Sequence, residues 1–402
     1  MRPPIVGQGI DDDFVKLQDV FSSAQPGETI HLQGIFQLND HTLRVEKSLT
    51  IVGDVINAVK PMFQGGGTTT VDSVGKPIAL PALDVVAGDG SVTIQGVDFI
   101  SPRVIAIRVA EAGGLMISGC RIVGLQPLKV GNLDTATGII VGNLDGARKV
   151  FGKLIVSNNH IDAIGSSSQN TLGINFNRAG IDLRFRATIS VEQNTVTNVT
   201  AIGLDFRDLM GEATINGNMI DMGAVGVNTP GFLISGIRCL GTSQLEPAEG
   251  VYTVANNHVR CQLETAAGIR LVSSSSVVPL NASTVVDNEI TMLTPVGADT
   301  LNAGIEIRGN NTKANLSDNT ILGHARAAIS LIKFAPASKF APATTTLLGY
   351  FRQQFNPAEA DIVLDTGVSN TTIIGPNVRA PGTIRDFGST NPSIEGNYEV
   401  LP

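Results

Sequence analysis

Charged side chains recur two residues apart inside short apolar segments of this chain. Asp182 and Arg184 stand in Gly-Ile-Asp-Leu-Arg, Asp205 and Arg207 in Gly-Leu-Asp-Phe-Arg, and Glu306 and Arg308 in Gly-Ile-Glu-Ile-Arg. The step Gly-Ile-Arg occurs at Arg238 and again at Arg270. If these segments are strands, alternate residues face opposite ways, so Leu204 and Phe206 turn inward while Asp205 and Arg207 turn outward. Such a face could do two kinds of chemistry. Asp182 and Asp205 are candidate catalytic acid and base. Like charges held close together push one carboxyl toward the protonated form, and a separation of about 5 Å suits a retaining glycosidase. Arg184, Arg207, Arg238, Arg270 and Arg308, with Glu306, are candidate substrate-binding residues, because a guanidinium grips a carboxylate through two parallel hydrogen bonds. The competing reading is a charge ladder, in which carboxylates and guanidiniums on neighbouring strands neutralise one another.

The elements that must hold these residues repeat. Six segments align on one Asn: Asn159 before His160-Ile161, Asn194 before Thr195-Val196, Asn218 before Met219-Ile220, Asn257 before His258-Val259, Asn288 before Glu289-Ile290 and Asn319 before Thr320-Ile321. The steps range from 24 residues (194 to 218) to 39 (218 to 257), as expected for a constant coil with loops of variable length. Ser118-Gly119-Cys120-Arg121-Ile122 fits the same pattern with Cys in the Asn place. Asn tolerates the left-handed backbone of a tight turn, and stacked amides can donate to one neighbour and accept from the other. The second repeat is Gly138-Ile139, Gly180-Ile181, Gly203-Leu204, Gly236-Ile237, Gly268-Ile269 and Gly304-Ile305, followed by Ala328-Ile329. Three short strands per coil follow, and the fold class is all-β: a parallel β-helix solenoid. No amphipathic helices of 10–15 residues separate the strands, which argues against stacked βαβ units. Aligning the Gly-Ile steps gives one outward column of Ile140, Asp182, Asp205, Arg238, Arg270, Glu306 and Ser330. A second column holds Gly142, Arg184, Arg207, Leu240, Val272, Arg308 and Ile332.

At 402 residues the chain exceeds the usual size of one domain, a limit that repeats escape because each coil packs only on its neighbours. Hydrophobic residues make up 42% and aromatics only 4%, so the core is aliphatic. A net charge of −8 argues against nucleic-acid binding, and no apolar run reaches the length of a membrane span. Residues 1–27 read as a capping helix and lead-in. Asp11, Asp12 and Asp13 precede Phe14, Leu17, Val20, Phe21 and Ala24 at helical spacing, and Pro26-Gly27 stops the helix. Residues 28–402 read as the β-helix, with an insertion at about 333–358 where Phe334, Phe340, Tyr350, Phe351 and Phe355 cluster. That stretch packs on the solenoid or serves as a lid or subunit contact, the latter implying a homo-oligomer.

Smaller signals carry less. Val130-Gly131-Asn132-Leu133-Asp134 recurs as Val141-Gly142-Asn143-Leu144-Asp145; paired loops of this kind could hold calcium, but two ordinary turns explain them, and no cofactor or metal is expected. Gly65-Gly66-Gly67 lacks the context of a phosphate loop. Cys120, Cys239 and Cys261 have no metal-ligand spacing and read as small core residues, with a pairing of Cys239 and Cys261 as the minor alternative.

This coil pattern, from about residue 28 to 380, resembles the pectin-lyase-like right-handed parallel β-helix superfamily in its loose-repeat form. The resemblance implies a right-handed solenoid and a ligand lying across one parallel sheet, on outward residues of successive coils. It therefore points to recognition, and cleavage by a glycosidase or lyase, of a polysaccharide or oligosaccharide along the Asp/Arg face. The chain departs from the enzymes of that group. The polygalacturonase signatures Asn-Thr-Asp, a mid-chain Asp-Asp, Gly-His-Gly and Arg-Ile-Lys are missing, Gly323-His324-Ala325 is a partial echo, and without Trp the pectate-lyase Trp motif cannot exist. The alternative is a non-catalytic surface, adhesion or scaffold protein. The opening Met1-Arg2-Pro3-Pro4 has no signal-peptide character, while the resemblance favours an extracytoplasmic setting.

Overall fold

The computed structural model describes residues 2–55, 59–71, 77–126, 128–130, 133–142, 150–163, 170–177, 186–222, 234–241, 250–262, 267–273, 280–293, 302–309, 311–312, 314–332, 345–374, 382–396 and 398–401. The chain divides into two compact units, Met1–Thr200 and Ala201–Pro402. Each is a stack of parallel coils with three strands per turn. Parallel strands joined without helices must wind, and the right-handed twist of the strands makes the winding right-handed. The protein is a right-handed parallel β-helix.

In the first unit the sheet preceding the Asn corner aligns Ile30, Ile51, Ile94, Ile117, Val156 and Val191 on successive coils. The sheet after the corner aligns Phe36, Phe63, Phe99, Ile122, Ile161 and Val196. Phe63 meets Phe36 and Phe99 edge-on at 5.8 and 5.3 Å. The third sheet, which carries the Gly-Ile steps, aligns Leu43, Leu83, Ile107, Ile139 and Ile174. In the second unit that sheet aligns Leu204, Ile237, Ile269, Ile305, Ile329, Ile362 and Ile384. Branched aliphatic side chains repeated at the strand spacing of about 4.8 Å fill most of the interior, with the Phe36, Phe63 and Phe99 stack in the first coils.

The Asn corner is a closed hydrogen-bond ladder. Asn159 donates from its backbone N and from Nδ2 to Asn194 Oδ1, both at 3.0 Å. In the second unit Asn218 donates in the same way to Asn257, Asn257 to Asn288, and Asn288 to Asn319. The amides of Asn159, Asn194, Asn257, Asn288 and Asn319 also reach a carbonyl of the preceding coil, as Asn257 Nδ2 does to Ile215 O at 2.9 Å. Cys120 holds the Asn place on its coil, its backbone N donating to Asn159 Oδ1. The left-handed backbone, however, lies one residue earlier than expected. Asn158, Gln193, Gly217, Asn256, Asp287 and Asp318 carry φ of 53–64°. The ladder Asn is kept for its side chain, and the residue before it makes the turn.

The two repeats are mates. A Cβ built on Gly203, Gly236, Gly268 or Gly304 would lie 2.2–2.8 Å from the Ile220, Val259, Ile290 or Ile321 side chain that follows the ladder Asn. Glycine at the Gly-Ile step leaves room for the branched residue of Asn-x-(Ile/Val) on the adjoining sheet. This packing also corrects the alignment of one coil. The strand paired with Leu133–Gly142 is Asn170–Asn177, in which Gly173-Ile174, not Gly180-Ile181, takes the Gly-Ile place. Gly138 shows the same crowding against Gly173 O and Ile161.

The N-terminus caps the solenoid with more than a helix. Ile5–Asp12 is itself a strand, paired in parallel with Glu28–Asn39. The helix Phe14–Ser23 then buries Leu17 and Phe21. Gln18 pairs its amide with the backbone of Arg44, accepting from Arg44 N at 2.8 Å and donating to Arg44 O at 3.1 Å. That contact occupies backbone groups an open sheet edge would otherwise leave unpaired. Asp13 sits at the N-cap but makes no side-chain cap; its Oδ2 accepts from Gln37 N instead. Of the stretch 333–358, residues 333–344 lie outside the described residues, while Thr346–Leu364 is a strand in register with Asn315–Ile332.

Candidate functional site

The Gly-Ile sheet of the second unit stacks the charged residues as alternation requires. Asp205 stands beside Arg238, Arg238 beside Arg270, Arg270 beside Glu306, and Glu306 beside Ser330. The second column runs Arg207, Leu240, Val272, Arg308 and Ile332. On the opposite side of the same strand Leu204 and Phe206 are fully buried, Phe206 lying edge-on to Tyr252 at 6.5 Å. The charged columns are therefore the outward ones.

Outward here does not mean exposed. Asp205 has no accessible side-chain surface and Arg238 only 5%. Arg238 grips Asp205 bidentately, Nε to Oδ1 at 2.8 Å and Nη2 to Oδ2 at 2.9 Å. Arg207, two residues along the same strand, donates Nε to Oδ2 at 2.7 Å and keeps 28% of its side chain exposed. Both carboxylate oxygens are thus taken by guanidinium groups. Behind the sheet, burial and then the Asp205 charge push the Cys239 thiol well above its usual range. Tyr252 is raised by burial first, with Cys239, Asp208 and Asp205 adding to it. The core under the triad stays neutral.

Three coils beyond Asp205, Glu306 is the centre of a second cluster. Arg270 Nη2 and Arg308 Nη2 donate to Glu306 Oε2 at 3.2 and 3.4 Å. Their Nε atoms lie 2.9 Å from Oε1 but off the N–H directions, so those two contacts are Coulombic rather than hydrogen bonds. Arg270 Nη1 is anchored on Ile234 O and Ser235 Oγ.

Asp182 and Arg184 lie outside the described residues. The corrected coil puts Asn175 beside Ile140, in the place the alignment had given to Asp182. Asn132, Asn143 and Asp145 of the calcium reading also lie outside them. The three cysteines are buried and unpaired with one another. Among the ion pairs that escaped the sequence reading is one in this outward column of the first unit: Arg108 holds Asp84 through Nε and Nη2, both at 2.9 Å. Its strands, Leu83-Asp84-Val85 and Ile107-Arg108-Val109, alternate just as the Gly-Ile strands do but have no Gly to mark them.

By fold the chain is a right-handed parallel β-helix. No protein-family model matches it, and no curated protein matches it. Among solved structures it is similar to the surface protein and adhesin PfbA of Streptococcus pneumoniae, at 13% identity over 99% of each chain with a TM-score of 0.42. It is also similar to the Dettilon tailspike protein, at 13% identity over 94% of this chain and 66% of that one, TM-score 0.46. The polygalacturonase of Erwinia carotovora is another, at 10% identity over 98% and 94%, TM-score 0.32. None of these likenesses identifies a ligand for this chain.

Proposed function

We propose that the protein recognises an acidic carbohydrate polymer through the outward charged row of its second unit, with Arg207 as the guanidinium that meets the ligand. One observation carries this reading: among the described residues a single carboxylate, Asp205, faces two guanidiniums, Arg238 buried with it and Arg207 with 28% of its side chain exposed. Guanidinium groups do not deprotonate in proteins, so this triad holds a surplus positive charge, which Arg207 presents at the water boundary. A planar anionic group beside Arg207 offsets that surplus, and a sugar carboxylate fits the guanidinium fork. In this reading Asp205 orients the two arginines, and the role is binding. Cleavage by Asp182 and Asp205 would require Asp205 to release an arginine before it reached a substrate.

A non-catalytic scaffold with no ligand on this row is the second reading, and the burial of Asp205, Arg238, Arg270 and Glu306 favours it. Thermal melts with trigalacturonate and with neutral maltotriose separate the two. A ligand at 100 times its dissociation constant stabilises the fold by about 2.7 kcal/mol. The acidic trisaccharide is expected to raise the melting temperature of the native protein, the neutral one to leave it in place, and Arg207→Ala to abolish the shift. A flat response to both sugars establishes the scaffold. Product analysis of the same mixtures reports on cleavage.

A further inference from the structure

The charged row of the second unit repeats itself in mirror order. Its first column reads Asp205, Arg238, Arg270 and Glu306 on four successive coils, and its second reads Arg207, Leu240, Val272 and Arg308. Each end carries the same group: a buried carboxylate, an arginine from the adjoining inner coil, and an arginine two residues further along its own strand. At one end Arg238 and Arg207 hold Asp205; at the other Arg270 and Arg308 hold Glu306. The inner arginines are closed off, Arg238 with 5% and Arg270 with 2% of the side chain exposed. The outer ones reach water, Arg207 with 28% and Arg308 with 13%. Arg207 donates to Asp205 through Nε alone, so its two Nη groups stand open at the surface. Between the outer arginines the second column is apolar and closed, with Leu240 and Val272 buried.

Equivalent positions on a solenoid recur at the strand spacing, so three coil steps set Arg207 and Arg308 about 14 Å apart along the axis. Each turns back to the carboxylate two residues before it, so the two heads keep the spacing of their strands. A guanidinium fork grips an anionic group, and two forks at a fixed distance favour a ligand whose charges match that distance. We propose that Arg207 and Arg308 form a two-point clamp for an acidic polysaccharide that carries its charges three sugar residues apart. The clamp rests on the reading that Arg207 meets an acidic sugar. One pyranose residue advances its chain by nearly one strand spacing. The first and fourth residues of a chain lying along the axis therefore meet the two arginines. The residues between them pass over Leu240 and Val272, where the inner guanidiniums are buried on Asp205 and Glu306, and a carboxylate there gains no partner. The clamp reads acids at the two ends of a four-residue stretch and accepts neutral sugars between them.

The test is isothermal titration of the native protein with trigalacturonate, which reaches one arginine, and with tetragalacturonate, which reaches both. The tetramer is expected to bind at least about tenfold more tightly, the gain from joining two contacts in one ligand. Tetragalacturonate methyl-esterified on its two inner residues should keep that gain. Arg308→Gln, which keeps a polar side chain without the charge, should bring the tetramer down to the affinity of the trimer. The comparison of ligands on the native protein decides the question even if that variant folds poorly. Trimer binding with no gain for the tetramer overturns the clamp and leaves the Arg207 reading standing. A gain that survives Arg308→Gln, or one that vanishes with the inner esters, overturns it too. Binding of neither sugar overturns both readings.

Discussion

The Asn corner and the Asp205 row are both stacks of buried polar side chains, one per coil, yet they end differently. Each Asn both donates and accepts, so one residue type repeated indefinitely closes every bond: Asn257 gives Nδ2 to Asn288 and receives Asn218 at Oδ1. Arginine only donates and carboxylate only accepts. A charged column must therefore alternate to close, and this one does not: Arg238 is followed by Arg270. The mismatch is resolved by turning Arg238 back onto Asp205 and Arg270 forward onto Glu306, and a second guanidinium reaches each carboxylate from the other column, Arg207 at Asp205 and Arg308 at Glu306. A self-complementary row supports the fold and asks nothing of the surroundings, whereas in the proposed reading the charged row offers its second guanidinium to a ligand.

Mutations can break this comparison, beginning with the largest effect. Asp205→Ala leaves two guanidiniums without their carboxylate, one of them almost fully buried. It is expected to cost about 3–5 kcal/mol in urea unfolding, the range for a buried pair stripped of one member. A loss under about 1 kcal/mol would mean that the row is solvated and the surplus-charge reading is wrong. Asn257→Ala in the ladder should cost about 1–3 kcal/mol, because Asn218 loses its side-chain acceptor and Asn288 Oδ1 loses one of its two donors, the backbone N of residue 257 remaining. Moving the same substitution to Asn218 or Asn288 should give a similar loss, since the ladder repeats.

The mating of the two repeats is tested by Gly236→Ala, whose new Cβ meets Val259 Cγ1 at 2.2 Å. Overpacking of this kind costs about 1–3 kcal/mol, and Val259→Ala added to it should recover part of that loss. Strict additivity of the two changes would show that they do not touch. The smallest expected effect is Arg207→Ala, under about 1 kcal/mol, because this guanidinium is partly solvated and Arg238 still holds Asp205. A near-neutral melt combined with loss of the acidic-sugar response would sharpen the division between a row that supports the fold and a row that meets a ligand.

Much of this was legible in the residues themselves. The Asn-x-(Ile/Val) and Gly-Ile steps determined the coil. With two-residue alternation, they also determined that Asp205, Arg238, Arg270 and Glu306 share one column, because backbone register depends on local period alone. Sequence could not choose between Gly173-Ile174 and Gly180-Ile181, since both match the motif; the pairing of Ile139 with Ile174 decides it. Nor could it see that the residue before each Asn takes the left-handed turn, or that Asp84 and Arg108 pair in a strand with no glycine marker. Burial is the largest gap. The alternation of Leu204, Asp205, Phe206 and Arg207 says which way a side chain points, but not whether water reaches it. That depends on what packs over the sheet and on which neighbour a long guanidinium turns toward. Those are properties of the assembled coils, so the column was written in the sequence and its closed triad only in the tertiary structure.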